Sequence, residues 1–244
     1  MNKFLRLNIN EIGILSIKFI LVVALLDIVY YRSLNALIIL IPVGVLYIYN
    51  EYQELLDKKR NQICIEFKEF MLLSVTGLRA GYSVENAMIN TKKDIKSLFG
   101  ENSSICLLVN EIKTAKLNHK PIAKIFNTMG ELTSIDDIKD FAQVYEIAYK
   151  GSGNINNVME KCAAVIVDKL EIRNDIYLSL SEKIFEMKIM CIMPYMIVGY
   201  ISLTSPGYFN VMYSDIKGRI IMTINLLIYV VAYCWSKRLI SIDV

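Results

Sequence analysis

The sequence predicts an all-α membrane protein in which four transmembrane helices flank a cytoplasmic bundle of about six helices. Three observations predict this class. Hydrophobic residues make up 55% of the 244 residues, above the roughly 45–50% usual for a soluble domain. Apolar runs occur in pairs at both ends of the chain, and residues 51–188 between them are polar. This polar part has apolar residues at helical spacing and no alternation of strand length.

Four apolar segments approach the length of about 20 residues that a bilayer-spanning helix needs. We predict spans at Ile12–Tyr31, Leu34–Tyr49, Ile189–Leu203 and Ile220–Trp235. No glycine or proline separates Asn154 from Pro194, so the last bundle helix should continue into the third span. The predicted domains are an N-terminal transmembrane hairpin (1–50), a cytoplasmic helical domain (51–188), and a C-terminal transmembrane hairpin with a short tail (189–244).

Basic residues predict the orientation of these spans. Clusters border the spans on one side: Lys3 and Arg6, Lys58 to Arg60, Lys183 and Lys188, and Lys237 and Arg238. Lysine and arginine close to a span favour the cytoplasmic side, so we expect both termini and residues 51–188 to be cytoplasmic. The net charge of the whole chain is only +3, which gives no indication of nucleic-acid binding.

Two charged residues fall within the first predicted span. Lys18 and Asp27 should lie on opposite sides of a helix, given about 100° per residue, so they are not expected to pair with each other. Either Lys18 extends to the inner interface while Asp27 lies near the outer one, or Asp27 makes a polar contact with another span or a partner subunit.

Glycine, proline and capping residues divide the middle of the chain into helices. Six helices are predicted. The first has an apolar stripe from Ile63 to Leu78, the second is capped by Ser83, and the third covers Ser104–Leu117. The fourth starts at Pro121, the fifth covers Asp136–Lys150, and the sixth is capped by Asn154. The segment from Ser134 to Asp137 resembles a capping signal, with Asp in place of the usual Glu. The residues expected to shape helix ends and turns are Gly81, Ser83, Gly151, Gly153, Asn154, Pro194, Pro206 and Gly218.

The sequence contains no motif for catalysis or nucleotide binding. Its single histidine, His119, excludes an HExxH zinc site, and no GxxxxGK[ST] loop occurs. Gly151 and Gly153 form a GxG pattern between two helices, where a structural turn is favoured over a phosphate-binding loop. Five cysteines without a CxxC pair predict buried, reduced thiols. We therefore expect no catalytic residue, no cofactor and no metal site.

Charged residues of the bundle suggest two places for contacts with partners. Acidic residues cluster at Asp136, Asp137 and Asp140, after Glu131. They either match the dipole of a solvated helix start or form a docking patch for a basic partner. Arg173 interrupts the apolar stripe of the last bundle helix, so we expect it to face a carboxylate in the bundle or in a partner.

Four stretches resemble the type II secretion system F-domain family. Residues 78–87, LRAGYSVENA, resemble its Leu-x-Ala-Gly-x-Ser-Leu-x-x-Ala signature, and residues 148–155, AYKGSGNI, resemble its second glycine turn. Ile172-Arg173 falls where members often carry arginine. Met193-Pro194, Ser205 to Tyr208 and Lys217 to Arg219 are similar to the closing spans and loop of Tad-type members. The resemblance covers approximately residues 60–244.

This resemblance implies a non-enzymatic platform protein of the bacterial inner membrane, in a type II secretion machine or a type IV or Flp (Tad) pilus. The implied partners are a cytoplasmic assembly ATPase, a sister platform protein, pilin subunits and the lipid bilayer, within a homo- or hetero-oligomer. The closing loop is more similar to the TadB type than to the TadC type. A small transporter or channel subunit and a membrane enzyme remain as alternative functions.

Overall fold

A computed structural model describes residues 9–31, 33, 37–151 and 155–240, and within these ranges the chain is helical with no strand. The helices are α1 (Ile9–Tyr30), α2 (Leu37–Arg79), α3 (Val84–Asn90), α4 (Lys92–Phe99), α5 (Ser104–Leu117), α6 (Ile122–Thr133), α7 (Asp136–Lys150), α8 (Ile155–Thr204), α9 (Asn210–Ser214) and α10 (Ile216–Ile240). The predicted all-α class is confirmed. The chain divides into two units: Glu54–Ile172, and the described residues up to Gln53 together with those from Arg173 onward.

The first unit is a helical bundle that contains one more helix than predicted. Helices α5 and α7 have the predicted boundaries, Ser104–Leu117 and Asp136–Lys150. The additional helix arises because Thr91 separates α3 from α4. The Thr91 hydroxyl donates to the Met88 carbonyl oxygen at 2.8 Å, and a side chain bonded to nearby backbone in this way competes with helix continuation.

The core of the first unit is built on the apolar stripe of α2. As predicted, this stripe is buried at Ile63, Phe67, Phe70, Met71, Ser74 and Leu78. Phe67 and Phe70 contact Phe126 of α6. Phe126 meets Phe141 of α7 edge-to-face, with ring centroids 4.9 Å apart. This geometry adds favourable ring interactions to the burial of apolar surface.

Glycines follow the ends of α2 and α7 in different conformations. Gly81 has a φ of 89°, which glycine adopts without the steric cost of a Cβ. The Tyr82 N–H then donates to the Gly77 carbonyl oxygen at 3.1 Å, a bond typical of glycine-terminated helices. Gly151 is extended. Gly153 and Asn154 lie outside the described residues, as do Lys3 and Arg6.

The two serines predicted to cap helices make no such hydrogen bond. Ser83 occupies the N-cap position of α3, but its side chain accepts no bond from that helix. Ser134 is the left-handed C-cap of α6, and Ile135 is the N-cap residue of α7. The predicted capping signal at Ser134 is therefore wrong. Only Ser134 and Ile135 connect the two helices, so Ser134 serves as the C-cap of α6 and is not the N-cap of α7.

The second unit contains helices that are long and apolar enough to cross a membrane. Three are found in the described part of the chain, at Glu11–Tyr30, within Ile155–Thr204 and at Ile216–Arg238, which suggests a multi-pass membrane protein. The predicted span Leu34–Tyr49 is not among them. Residues 34–36 lie outside the described ranges, and the apolar start of α2 from Leu37 to Tyr49 is shorter than the roughly 17 residues that a span requires.

Helix α8 is continuous from Ile155 to Thr204, with Pro194 inside it. This agrees with the prediction that the last bundle helix continues into the third span. After Pro206, the chain turns at Gly207, which has a φ of 96°, and forms the short helix α9, which was not predicted. A Cβ on Gly218 would lie 2.5 Å from the Met212 carbonyl oxygen, so α10 approaches α9 at a distance that only glycine permits.

Candidate functional site

The N-terminus of α5 is a buried polar site that joins α2 to α5. Glu66 of α2 is 5% exposed. Its Oε2 accepts a hydrogen bond from the Ile105 N–H at 3.2 Å, and the Ser104 N–H also donates to this carboxylate. The Ser103 Oγ accepts from the Cys106 N–H at 3.2 Å. These acceptors satisfy the N–H groups that a helix start leaves without partners inside the helix.

Burial raises the pKa of the Glu66 carboxyl, while the N–H donors of α5 and the Gln62 amide act in the opposite direction. Sequence analysis did not identify Glu66 as a site residue. The available signal was its register, because it lies three residues after Ile63 and four before Phe70, inside the apolar stripe. A carboxylate at such a position is expected to have a buried partner.

Close contact between α6 and α7 depends on Gly130. A Cβ at this residue would lie 2.5 Å from Lys139 Cγ and 3.0 Å from the Lys139 backbone nitrogen. At the C-terminus of α6, Arg60 Nε donates to the Thr133 carbonyl oxygen at 3.1 Å. A cation at this end of a helix is stabilised by the helix dipole, so the bond from Arg60 stabilises the packing of α2 against α6.

The acidic start of α7 is largely paired within the first unit. Asp136 forms an ion pair with Lys139 at 2.8 Å, and Asp137 forms one with Lys169 of α8 at 2.5 Å. The Lys139 ammonium lowers the pKa of the Asp136 carboxyl. Asp140 is exposed. Among the residues of the predicted docking patch, Asp140 is therefore the one best placed to contact a partner.

Arg173 is half-buried on α8, and its predicted contact with a carboxylate stays a prediction.

An ion pair that the sequence did not reveal joins the end of α2 to α8, with Arg79 Nε 2.8 Å from Glu160 Oε1. Both side chains are largely exposed, and exposed pairs of this kind are weak because water screens them.

Tyrosine hydroxyls hold the C-terminal end of α1 in the second unit. The Tyr213 hydroxyl donates to the Val29 carbonyl oxygen at 2.7 Å. The hydroxyls of Tyr31 and Thr223 lie 2.9 Å apart. The first bond satisfies a carbonyl of the last turn of α1, which an isolated helix end would leave unpaired.

The two charged residues of α1 have different environments. Lys18 pairs with Glu51 of α2, a partner that the sequence analysis did not identify. Asp27 is half-buried, and its Oδ1 is buried without a hydrogen bond from the described part of the chain. Both predicted readings of Asp27, a place near the outer interface and a polar contact with another span or subunit, therefore remain.

An apolar cleft of about 450 Å³ lies in the second unit and is lined by residues of α1, α8 and α10. Its lining includes Tyr30, Pro194 and Ile228. Asn225 of α10 also lines the cleft and is exposed. The cleft thus combines an apolar wall with one carboxamide, at a position within a candidate membrane span.

The described residues contain no group of His, Cys, Asp and Glu side chains able to hold a metal ion. The thiols of Cys64 and Cys106 are buried, those of Cys162 and Cys191 are half-buried, and Cys234 is exposed. The prediction of buried thiols is therefore correct for the first two cysteines and wrong for Cys234, which lies on the outer surface of an apolar helix.

Comparisons with known protein families, with curated proteins and with solved structures find no match. The class therefore comes from the structure itself: over the residues that it describes, the protein is all-α and has three helices long and apolar enough to cross a membrane.

Proposed function

We propose that this protein is an inner-membrane platform of a type II secretion machine or of a type IV or Flp (Tad) pilus. In this role it couples a cytoplasmic assembly ATPase to the extraction of pilin subunits from the membrane. The observation that carries the proposal is the composition of α8. This single helix contains buried core residues of the first unit, Met159, Ala163 and Ile166, and also an apolar segment long enough to cross a bilayer. Coupling between a soluble motor and a membrane-embedded substrate requires an element with both parts.

The proposed topology has four spans, with both termini and residues 51–188 in the cytoplasm of a bacterium. Residues 34–49 supply the second span. Three groups of basic residues support this arrangement, because four spans place all of them on the cytoplasmic side: Lys3 and Arg6, Lys58 to Arg60, and Lys237 and Arg238. With three spans, Lys3 and Arg6 would lie on the opposite side from the other two groups.

The proposed partners are the assembly ATPase, a sister platform protein, pilin subunits and the lipid bilayer. The resemblance at residues 78–87 and 148–155 supports this assignment. We place a contact with a basic surface of a partner at Asp140, since it is exposed while Asp137 pairs with Lys169. Arg173 is a second proposed contact.

Deletion of the gene, followed by complementation, tests the proposal. We expect the deletion to abolish pilus assembly or secretion, and the full chain to co-purify with an ATPase. Asp140→Lys should weaken both co-purification and assembly. Asp94→Lys, a matched change at an exposed aspartate of α4, should leave both unchanged. Normal assembly in the deletion strain would refute the proposal.

One observation favours the alternative of a small transporter or channel subunit. Asp27 presents a buried carboxylate oxygen, without a hydrogen bond from the described residues, in a helix able to cross a membrane. Ionisable groups at membrane depth commonly mark ion or substrate pathways. The purified chain in proteoliposomes should then conduct ions without partners, and Asp27→Asn should reduce this flux. No flux in either protein would refute the alternative.

A further inference from the structure

We infer that one exposed face of α10 is a self-association surface, where the same helix of a second copy of this chain packs and pairs through Asn225. The inference depends on α10 crossing the bilayer and is independent of the proposed platform function. On α10, Met222 and Leu226 are buried in the core of the second unit. The proposed face lies beside them, borders the apolar cleft described above, and is exposed.

The first argument is the spacing of residues on this face. Five exposed residues follow one another at alternating intervals of four and three: Ile221, Asn225, Ile228, Ala232 and Trp235. This is the spacing of the a and d positions of a heptad, at which two helices pack in a left-handed coil. Most transmembrane bundles pack with this geometry. We call these five residues the α10 seam.

The second argument is the chemistry of Asn225. It lies near the middle of the candidate span Ile216–Arg238. Its carboxamide is exposed and has no hydrogen bond to any residue that the structure describes. An amide facing hydrocarbon lacks water as a partner, and leaving it unpaired is unfavourable. Lipid chains offer no donor or acceptor, so a protein group is the partner that satisfies it.

The identity of that partner follows from the amide itself. A carboxamide has both a donor and an acceptor, so two copies of Asn225 can bond to each other. A two-fold axis brings a residue near that axis against its own copy. A single asparagine at an a position fixes register and oligomeric state in coiled coils. The α10 seam is therefore self-complementary, which selects a second copy of the chain over a helix of unrelated sequence.

The remaining seam residues fit close packing. Ile221 and Ile228 flank Asn225 with large apolar side chains, 54% and 63% exposed. Ala232 is small, and small residues let transmembrane helices approach closely. Trp235 lies near the end of the span, next to Lys237 and Arg238, where tryptophan is favoured at the membrane interface.

Cysteine cross-linking of the full chain in its native membrane tests the surface. In a Cys191→Ala, Cys234→Ala background, Ile228→Cys is compared with Leu227→Cys. The two positions are adjacent in depth and similarly exposed, at 63% and 60%, but Leu227 lies off the seam. We expect mild oxidation to give a disulfide-linked dimer for Ile228→Cys and none for Leu227→Cys. Equal cross-linking of both variants, or none for Ile228→Cys, would overturn the inference.

The role of the amide is tested by the dimer dissociation constant, measured by energy transfer between labelled chains in vesicles. Asn225→Leu should weaken dimerisation about 3- to 30-fold, the range for one hydrogen bond between helices in a bilayer. Asn225→Gln should retain most of the affinity, because it keeps both donor and acceptor. Unchanged dimerisation of Asn225→Leu, or cross-links from Ile228→Cys only to a different protein, would refute the pairing. Asn225→Leu leaves an apolar residue on an exposed face, so folding is preserved.

Discussion

Replacing Glu66 by alanine should destabilise the helical bundle through the N-terminus of α5. The substitution removes the acceptor for the N–H groups of Ser104 and Ile105. These groups lie at a helix start where Ile105 itself is fully buried, so water does not replace the carboxylate. Each unsatisfied buried donor costs about 1–3 kcal/mol. Because the substitution also removes the cost of burying a carboxylate, we expect the free energy of unfolding to fall by a net amount of about 2–5 kcal/mol.

Two further variants separate capping from other effects of the substitution. Glu66→Gln keeps an oxygen that can accept from α5, so its loss should be about 1 kcal/mol, the usual net worth of one hydrogen bond. Glu69→Ala removes a carboxylate three positions further along α2. Glu69 pairs with Lys68 at 2.9 Å while about a third exposed, and we expect a change below about 1 kcal/mol.

Amide hydrogen exchange of the full chain in detergent micelles measures this effect locally. Because about 1.4 kcal/mol corresponds to a tenfold change in an equilibrium constant, Glu66→Ala should accelerate exchange in the α5 peptide by about 30- to 4,000-fold. Glu69→Ala should leave the rate within about fivefold of wild type. If the two alanine variants exchange at the same rate in α5, the capping account of Glu66 is wrong.

Three other predictions follow from the structure. Gly218→Ala should lower the melting temperature of the full chain, because its Cβ would lie within 3 Å of the α9 backbone, whereas Gly199→Ala has open space and should be neutral or slightly stabilising. Phe126→Ala removes a fully buried ring and should cost about 3–5 kcal/mol, measured by hydrogen exchange in α6, while Tyr82→Ala at an exposed position should cost below about 0.5 kcal/mol. Because the pKa of Glu66 is raised by burial, the unfolding free energy of wild type minus that of Glu66→Gln should be largest below about pH 4.3. This difference should fall as the pH rises to the raised pKa and then level off, and a difference that increases over that range would contradict the assignment.

Local sequence signals predicted the boundaries of α5 and α7, while contacts between distant residues escaped them. Helix α7 ends at Lys150 because Gly151 follows, which the sequence shows directly. The carboxylate that binds the start of α5 comes instead from Glu66, far away in the chain. Likewise, the close contact of Gly130 with Lys139 depends on how two helices pack. A pattern read along one helix contains no information about which residue of another helix will face it.

Sequence analysis was least accurate where short connections between helices decide the structure. Ser134 is of a residue type that often caps a helix start, yet the two-residue connection between α6 and α7 leaves it as the C-cap that follows α6. Sequence analysis identified no helix boundary at Thr91, whose hydroxyl bonds to the backbone where α3 ends. Both outcomes follow from competition between two uses of one hydroxyl-bearing residue, and local composition does not decide that competition.

Each unit satisfies some helix ends with its own side chains, and each leaves a polar atom buried without a hydrogen bond from the described residues: Tyr145 Oη in the first unit and Asp27 Oδ1 in the second. In the first unit, Glu66 accepts from a backbone N–H at the N-terminus of α5, and Arg60 donates to a backbone carbonyl at the C-terminus of α6. Side chains of the same unit therefore satisfy these two helix ends. In the second unit, Tyr213 does the same for α1, but Asp27 and Asn225 have no hydrogen bond to their side chains from the described residues. Water can solvate an unpaired group at the surface of a soluble bundle, whereas hydrocarbon cannot. If α10 crosses a bilayer, Asn225 therefore requires a polar group of another protein helix as its partner.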